Sequence, residues 1–128
     1  MEAAMLRTLL KSKIHRATVT EANLEYEGSL TIDSHLMELA DITPHEMVHV
    51  ANVSSGDRLE TYVIPGESHS GTICANGAAA RLIHKYDTII VMSYAQVPEE
   101  RVASWRPKMI KVDAANHPIG EVRLAEQD

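Results

Sequence analysis

Turn residues interrupt this chain before any apolar run can lengthen, and that punctuation limits the fold more than any other feature. Met47 to Val53 leads into the turn Ser54-Ser55-Gly56-Asp57, and Leu59 to Ile64 leads out of it, which is the pattern of a β-hairpin whose second strand stops at Pro65-Gly66. Leu6 to Leu10, Ile14 to Val19, Thr72 to Ala75 and Met109 to Val112 read as further strands, several of them carrying β-branched residues that suit a pleated surface. Thr88 to Ser93 is an almost unbroken apolar run, typical of a buried strand. Only three short stretches suit a helix: Leu36 to Ala40, capped by Asp33 or Ser34; Ala78 to Ile83; and Glu99 to Ser104 after Pro98. Many short strands with few helices predict a mostly β fold, a small barrel, formed as one domain over residues 1–128.

Charge and cysteine content narrow the function. Twelve Lys and Arg against 18 Asp and Glu leave a net charge of −6, so no nucleic-acid surface is expected and any recognition of anions must be local. The single cysteine, Cys74, excludes an internal disulfide, fits a reducing compartment and reads as a small buried apolar residue. No 20-residue apolar span is present, and Met1 to Arg7 lacks the basic start and long apolar run of a signal peptide, so the expected location is cytoplasmic, with no membrane contact.

His45-Glu46-Met47-Val48-His49 matches the zinc signature H-E-x-x-H, which requires a helix to bring both imidazoles onto one face. Pro44 before it and the valines within and after it favour a strand instead. On a strand, residues four apart are separated by roughly 13 Å, too far to share an ion. No third ligand follows, and no metal is expected.

A glycine followed by serine, as at Gly28-Ser29, reads first as a turn. Four runs give that pair another meaning: Lys11-Ser12-Lys13-Ile14-His15-Arg16, Tyr26-Glu27-Gly28-Ser29, Arg58-Leu59-Glu60-Thr61-Tyr62 and Asn76-Gly77-Ala78-Ala79-Ala80. In sequence and spacing they closely resemble the pyruvoyl-dependent aspartate 1-decarboxylases, a similarity that covers nearly all of Met5 to Val112. The resemblance implies a double-psi β-barrel, a homotetramer with active sites between subunits, and a zymogen that cuts itself between Gly28 and Ser29 into a 1–28 β chain and a 29–128 α chain.

The chemistry so implied can be written from the residues. Ser29 attacks the Gly28 carbonyl, where no side chain blocks approach, and exchanges an amide for an ester. Elimination and hydrolysis then turn Ser29 into a covalent pyruvoyl group, with Thr61 assisting by hydrogen-bonding the developing oxyanion. The ketone takes the amine of L-aspartate as a Schiff base and acts as the electron sink that pyridoxal phosphate, not expected here, supplies elsewhere. By resemblance Tyr62 is the proton donor that completes β-alanine, for pantothenate and coenzyme A biosynthesis; a phenol stays protonated at neutral pH. Arg58 and Lys13 match the residues that bind the substrate. Asn76, Gly77, Ala78 and Ala79 match substrate-binding residues beside the pyruvoyl group, and His15 and Tyr26 match the surrounding pattern without a defined role. Whether a maturation factor assists cleavage is left open at this level.

The chain departs from the family pattern at Ser68-His69, where an arginine-glycine pair is expected, at Lys85-Tyr86-Asp87, and in Met1 to Ala4, which precede the expected start. None of these falls among the implied catalytic residues.

Overall fold

The computed structural model describes residues 5–124, so the Met1–Ala4 extension lies outside the described residues. Within that span the chain runs β1 (Leu6–Thr18), β2 (Glu21–Asn23), β3 (Ser29–Asp33), α1 (Ser34–Ala40), β4 (Met47–Asn52), β5 (Arg58–Gly66), β6 (Ile73–Asn76), a 3₁₀ turn (Gly77–Arg81), β7 (Thr88–Pro98), α2 (Glu99–Val102), β8 (Lys108–Lys111) and β9 (Arg123–Leu124). The fold is mostly β, as the punctuation of the sequence predicts.

The strands pair in the order β2-β6-β3-β5-β4-β7-β1-β8-β9. Three neighbouring pairs are parallel: β2 with β6, β3 with β5, and β1 with β8. Strands far apart in this ladder bury side chains in one cluster, among them Ile14 of β1, Leu30 of β3, Val63 of β5, Ile73 of β6 and Ile110 of β8. The sheet therefore curls around a shared core, to which α1 adds Leu36, Met37 and Ala40. Each fully buried Ile or Leu contributes about 1.5–3 kcal/mol relative to exposure.

Several boundaries differ from the sequence reading for identifiable reasons. The two strands expected between Leu6 and Val19 are one, because shifts of register between Leu10 and Ser12 and between Ile14 and Ala17 let β1 bend without breaking. Pro65 does not end β5: past Tyr62 this strand pairs only with β3, so a residue without an N–H is tolerated there. The stretch from Ser29 to Asp33, read only as the flank of a turn, is a strand held on both sides by β5 and β6. Its last residue caps α1 as expected, the Asp33 carboxylate accepting the His35 N–H at 2.9 Å.

Asp33 does more than cap. The same carboxylate accepts the backbone N–H groups of His69 at 3.0 Å and Gly71 at 2.9 Å, tying the loop between β5 and β6 to the end of β3. Buried Asn116 fastens that loop from the other side, donating to Gly71 O at 2.8 Å and Thr18 O at 2.7 Å while accepting the Thr18 N–H at 2.8 Å. The departure at Ser68-His69 thus lies in a loop clamped by two buried side chains, and the His69 ring stacks on His35 with centroids 4.2 Å apart.

The H-E-x-x-H segment is not helical. His45 has a left-handed backbone, φ 72°, in the turn that precedes β4, and His49 lies inside the strand. Glu46 between them accepts two hydrogen bonds from Lys11 Nζ, at 2.9 and 3.1 Å, and one from Ser93 Oγ. Among the described residues no group of three or more His, Cys, Asp or Glu is gathered as a metal site, and no helix is long and apolar enough to cross a membrane.

Candidate active site

The antiparallel register of β3 and β6 sets Ser29 opposite Asn76 and Thr31 opposite Cys74. Directly opposed residues share a face, so all four side chains point the same way. They line one cavity of about 790 Å³, whose wall also carries Tyr26, His45 and Tyr62. The Tyr62 ring lies 6.3 Å from that of His45, centroid to centroid.

Ser29 is 2% exposed and is not free to swing. Asn76 Nδ2 donates to Ser29 Oγ at 2.9 Å and to Thr31 Oγ1 at 2.9 Å, using both hydrogens of its amide. The serine oxygen is thereby held as an acceptor, leaving its own proton available for transfer.

The residue before it faces elsewhere. Gly28 borders a second hollow, about 390 Å³, with Thr61, Ala78 and Ala79, and Tyr62 borders both. The Gly28–Ser29 peptide bond therefore lies between a cavity reached by Ser29 and a hollow occupied by Thr61. What brings the segment so close is Gly77, with φ +63°: a Cβ there would stand 2.7 Å from Gly28 N and 2.7 Å from Tyr26 O. Only glycine allows the 3₁₀ turn to begin against this backbone.

The structure thus brings together Tyr26, Gly28, Ser29, Thr61, Tyr62, Asn76, Gly77, Ala78 and Ala79 from the sequence-derived set. It does not bring Arg58, Lys13 or His15 to the same place. Arg58 opens onto a cleft of about 160 Å³ with His49, Glu60 and Tyr94. His15 lies in another hollow with Arg16 and Lys111, its register partner on β8, and its Nδ1 is buried without a hydrogen-bond partner. Burial, then the charges of Lys13, Arg16 and Lys111, hold the His15 imidazole below its usual pKa.

Charge separates the two regions. Among the described residues, no Lys or Arg lines the Ser29 cavity, which instead carries Glu21 and Glu27, and neither Arg58 nor Lys13 forms an ion pair. Sequence reasoning did not place Glu21, Glu27, Thr31, His45, Ile64 or Thr72 on the cavity wall, and read Cys74 only as a buried apolar residue. The alternation of Ser29 with Thr31 and of Cys74 with Asn76 was the available signal, hidden because β3 was not recognised as a strand.

Comparison with known proteins gives a consistent picture. The family described as aspartate decarboxylase matches residues 5–119. The chain is 56% identical over 115 residues to the aspartate 1-decarboxylase of Thermoanaerobacter pseudethanolicus, covering 90% of this chain and 98% of that protein. It is 55% identical over 122 residues to that of Pelotomaculum thermopropionicum, covering 95% and 92%. With that of Acetivibrio thermocellus it shares 57% over 112 residues, covering 88% and 89%.

Proposed function

The chain belongs to the aspartate decarboxylase family, and from that premise we propose that it cuts itself between Gly28 and Ser29 and then converts L-aspartate to β-alanine and carbon dioxide on a pyruvoyl group made from Ser29. The observation that carries this reading is the Asn76 Nδ2–Ser29 Oγ bond of 2.9 Å at the edge of a cavity large enough for an amino acid.

Ser29 Oγ, fixed by Asn76, attacks the Gly28 carbonyl carbon, and the amide becomes an ester with the Ser29 nitrogen freed. Thr61, which borders the Gly28 hollow, donates its hydroxyl proton to the oxygen that becomes negative during this exchange. Elimination across Ser29 releases residues 1–28 with a carboxylate on Gly28. Addition of water then expels the Ser29 nitrogen as ammonia.

The Asn76 amide suits the product as well as the serine, since its N–H groups can donate to a carbonyl oxygen or a hydroxyl alike. A pyruvoyl ketone at this position supplies the electron sink that amino-acid decarboxylation requires. Tyr62 reaches the same cavity and returns a proton from its hydroxyl once the carboxylate has left. A cavity lined by Glu21 and Glu27 does not attract a dicarboxylate by itself. Arg58 and Lys13 therefore act from a second copy of the chain, in a homotetramer with its sites between subunits, Arg58 gripping a substrate carboxylate through two parallel hydrogen bonds. Cytoplasmic β-alanine supply for pantothenate and coenzyme A synthesis is the corresponding role.

Denaturing mass spectrometry tests the reading directly. The expected result is two fragments, residues 1–28 and 29–128, the second carrying a carbonyl that reacts with hydrazines. Ser29→Ala should stay intact and form no β-alanine from aspartate; product from that variant would overturn the proposal.

A further inference from the structure

Asn76 can direct its N–H groups at Ser29 only if its amide sits one way round, and the groups that decide this are its neighbours. Nδ2 faces two hydroxyl oxygens, Ser29 Oγ and Thr31 Oγ1, each at 2.9 Å. Oδ1 faces Cys74 Sγ at 3.2 Å, placed to accept the thiol proton. Turned over, the amide would present its two strong donors to sulfur, a weak acceptor, and leave neither hydroxyl oxygen with a donor.

We propose that Cys74 is a positioning residue for self-cleavage: its S–H, donated to Asn76 Oδ1, fixes the amide so that Nδ2 holds Ser29 Oγ in line for the Gly28 carbonyl. The proposal rests on the reading of Ser29 as nucleophile. The fold supports it independently in two ways. Cys74 and Asn76 are two apart on β6 and face Thr31 and Ser29 across β3, so the thiol and the amide lie side by side on the cavity wall. Cys74 is also 6% exposed, and burial followed by the charge of Glu21, its register partner on β2, pushes the thiol pKa up. The sulfur therefore keeps the proton it has to donate.

The test is the rate of appearance of the two fragments in freshly made protein, followed by intact mass, for wild type, Cys74→Ala and Cys74→Ser. Losing the donor should slow cleavage about tenfold in Cys74→Ala, the worth of one such hydrogen bond. Cys74→Ser, which restores a donor, should cleave within about twofold of wild type, and melting temperatures should not separate the two variants. Cleavage of Cys74→Ala at the wild-type rate would overturn the proposal, and so would a serine variant as slow as the alanine one, because the bulk of sulfur rather than its proton would then matter. Wild-type protein that never cleaves would count against Ser29 as nucleophile and not against Cys74. In that case the Asn76 side-chain amide signals by NMR decide: protection from exchange in wild type that is lost in Cys74→Ala supports the bond, and equal protection in both refutes it.

Discussion

The wall around Ser29 and the surface around Arg58 are built from the same sheet yet are opposite in character. Ser29 is buried and accepts a hydrogen bond from Asn76, whose amide is in turn tied to Thr31 and Cys74 by neutral hydrogen bonds, in a cavity whose formal charges are Glu21 and Glu27. Arg58 is exposed and starts β5, and Lys13 lies across the sheet on β1, neither with an ionic partner among the described residues. One region has what the proposed cleavage needs, a serine hydroxyl that is buried and fixed. The other has what a dicarboxylate needs, cations with free donors. β5 links them, since Tyr62 reaches the Ser29 cavity while Arg58, four residues earlier, opens onto another cleft. At about 3.3 Å per strand residue, that interval is too long for one side chain to bridge comfortably. In the proposed mechanism self-cleavage is therefore complete within one chain, whereas capture of aspartate draws on two.

The sharpest way to break this contrast is to separate its halves. Arg58→Ala should cleave at the wild-type rate but lose about 10–100-fold in kcat/KM for aspartate, the cost of a charged, two-point hydrogen bond. Ser29→Ala should be inert. Co-expressed, the two variants should recover activity, because the first supplies Ser29 and the second supplies Arg58 to a shared site. No recovery in isolated mixed oligomers would show that Arg58 serves the Ser29 of its own chain.

Gly77→Ala strikes the other half. The added methyl meets Gly28 N, Tyr26 O and Gly28 Cα at 2.7, 2.7 and 2.8 Å, all of them backbone, at a φ of +63°. Backbone has to move, and the loss of stability should be about 1–3 kcal/mol by thermal or urea unfolding. Cleavage should slow as well, because two of the displaced atoms belong to Gly28, whose carbonyl carbon is the proposed point of attack. Normal cleavage in a destabilised variant would mean that the position of Gly28 is not critical.

What could be read in advance followed the same divide. Turn residues and β-branched runs gave the hairpin of β4 and β5, the strand β7 and the cap of α1, since these depend on neighbours in the chain. β3 escaped because Gly28-Ser29 looks like a turn locally, and its strand conformation is imposed by β5 and β6, which arrive some 30 and 45 residues later. Motif resemblance named both Ser29 and Arg58, but no spacing along the chain could tell that one copy keeps them apart. The cluster of Lys11, Glu46 and Ser93 was equally hidden: its members are 35 and 47 residues apart, and Glu46 was weighed only as part of a zinc signature.

A buried carboxylate, Asp33, and a half-buried one, Glu46, allow the finest comparison, one for each region. Burial alone would raise the pKa of Asp33, but the N–H groups of Gly71, His35 and His69 outweigh it and leave the carboxyl below its usual value. For Glu46, burial is likewise outweighed, here by Ser93, Lys11 and the Thr43 N–H. Both groups are more acidic folded than unfolded, so their stabilisation is complete above the ordinary carboxylate range near pH 4 and is lost as pH falls through the lower folded values. Asp33→Asn and Glu46→Gln should each lower stability at pH 7 by about 1–2 kcal/mol, and the gap from wild type should close as the solution is acidified toward pH 3. Only Asp33→Asn should also slow cleavage, because it loosens β3 at the end opposite Ser29, whereas Glu46 pins β4 to β1 and β7 on the side of the cations. A gap that widened on acidification would mean that the fold favours the protonated acids, and the hydrogen-bonded anchoring of both regions would have to be abandoned.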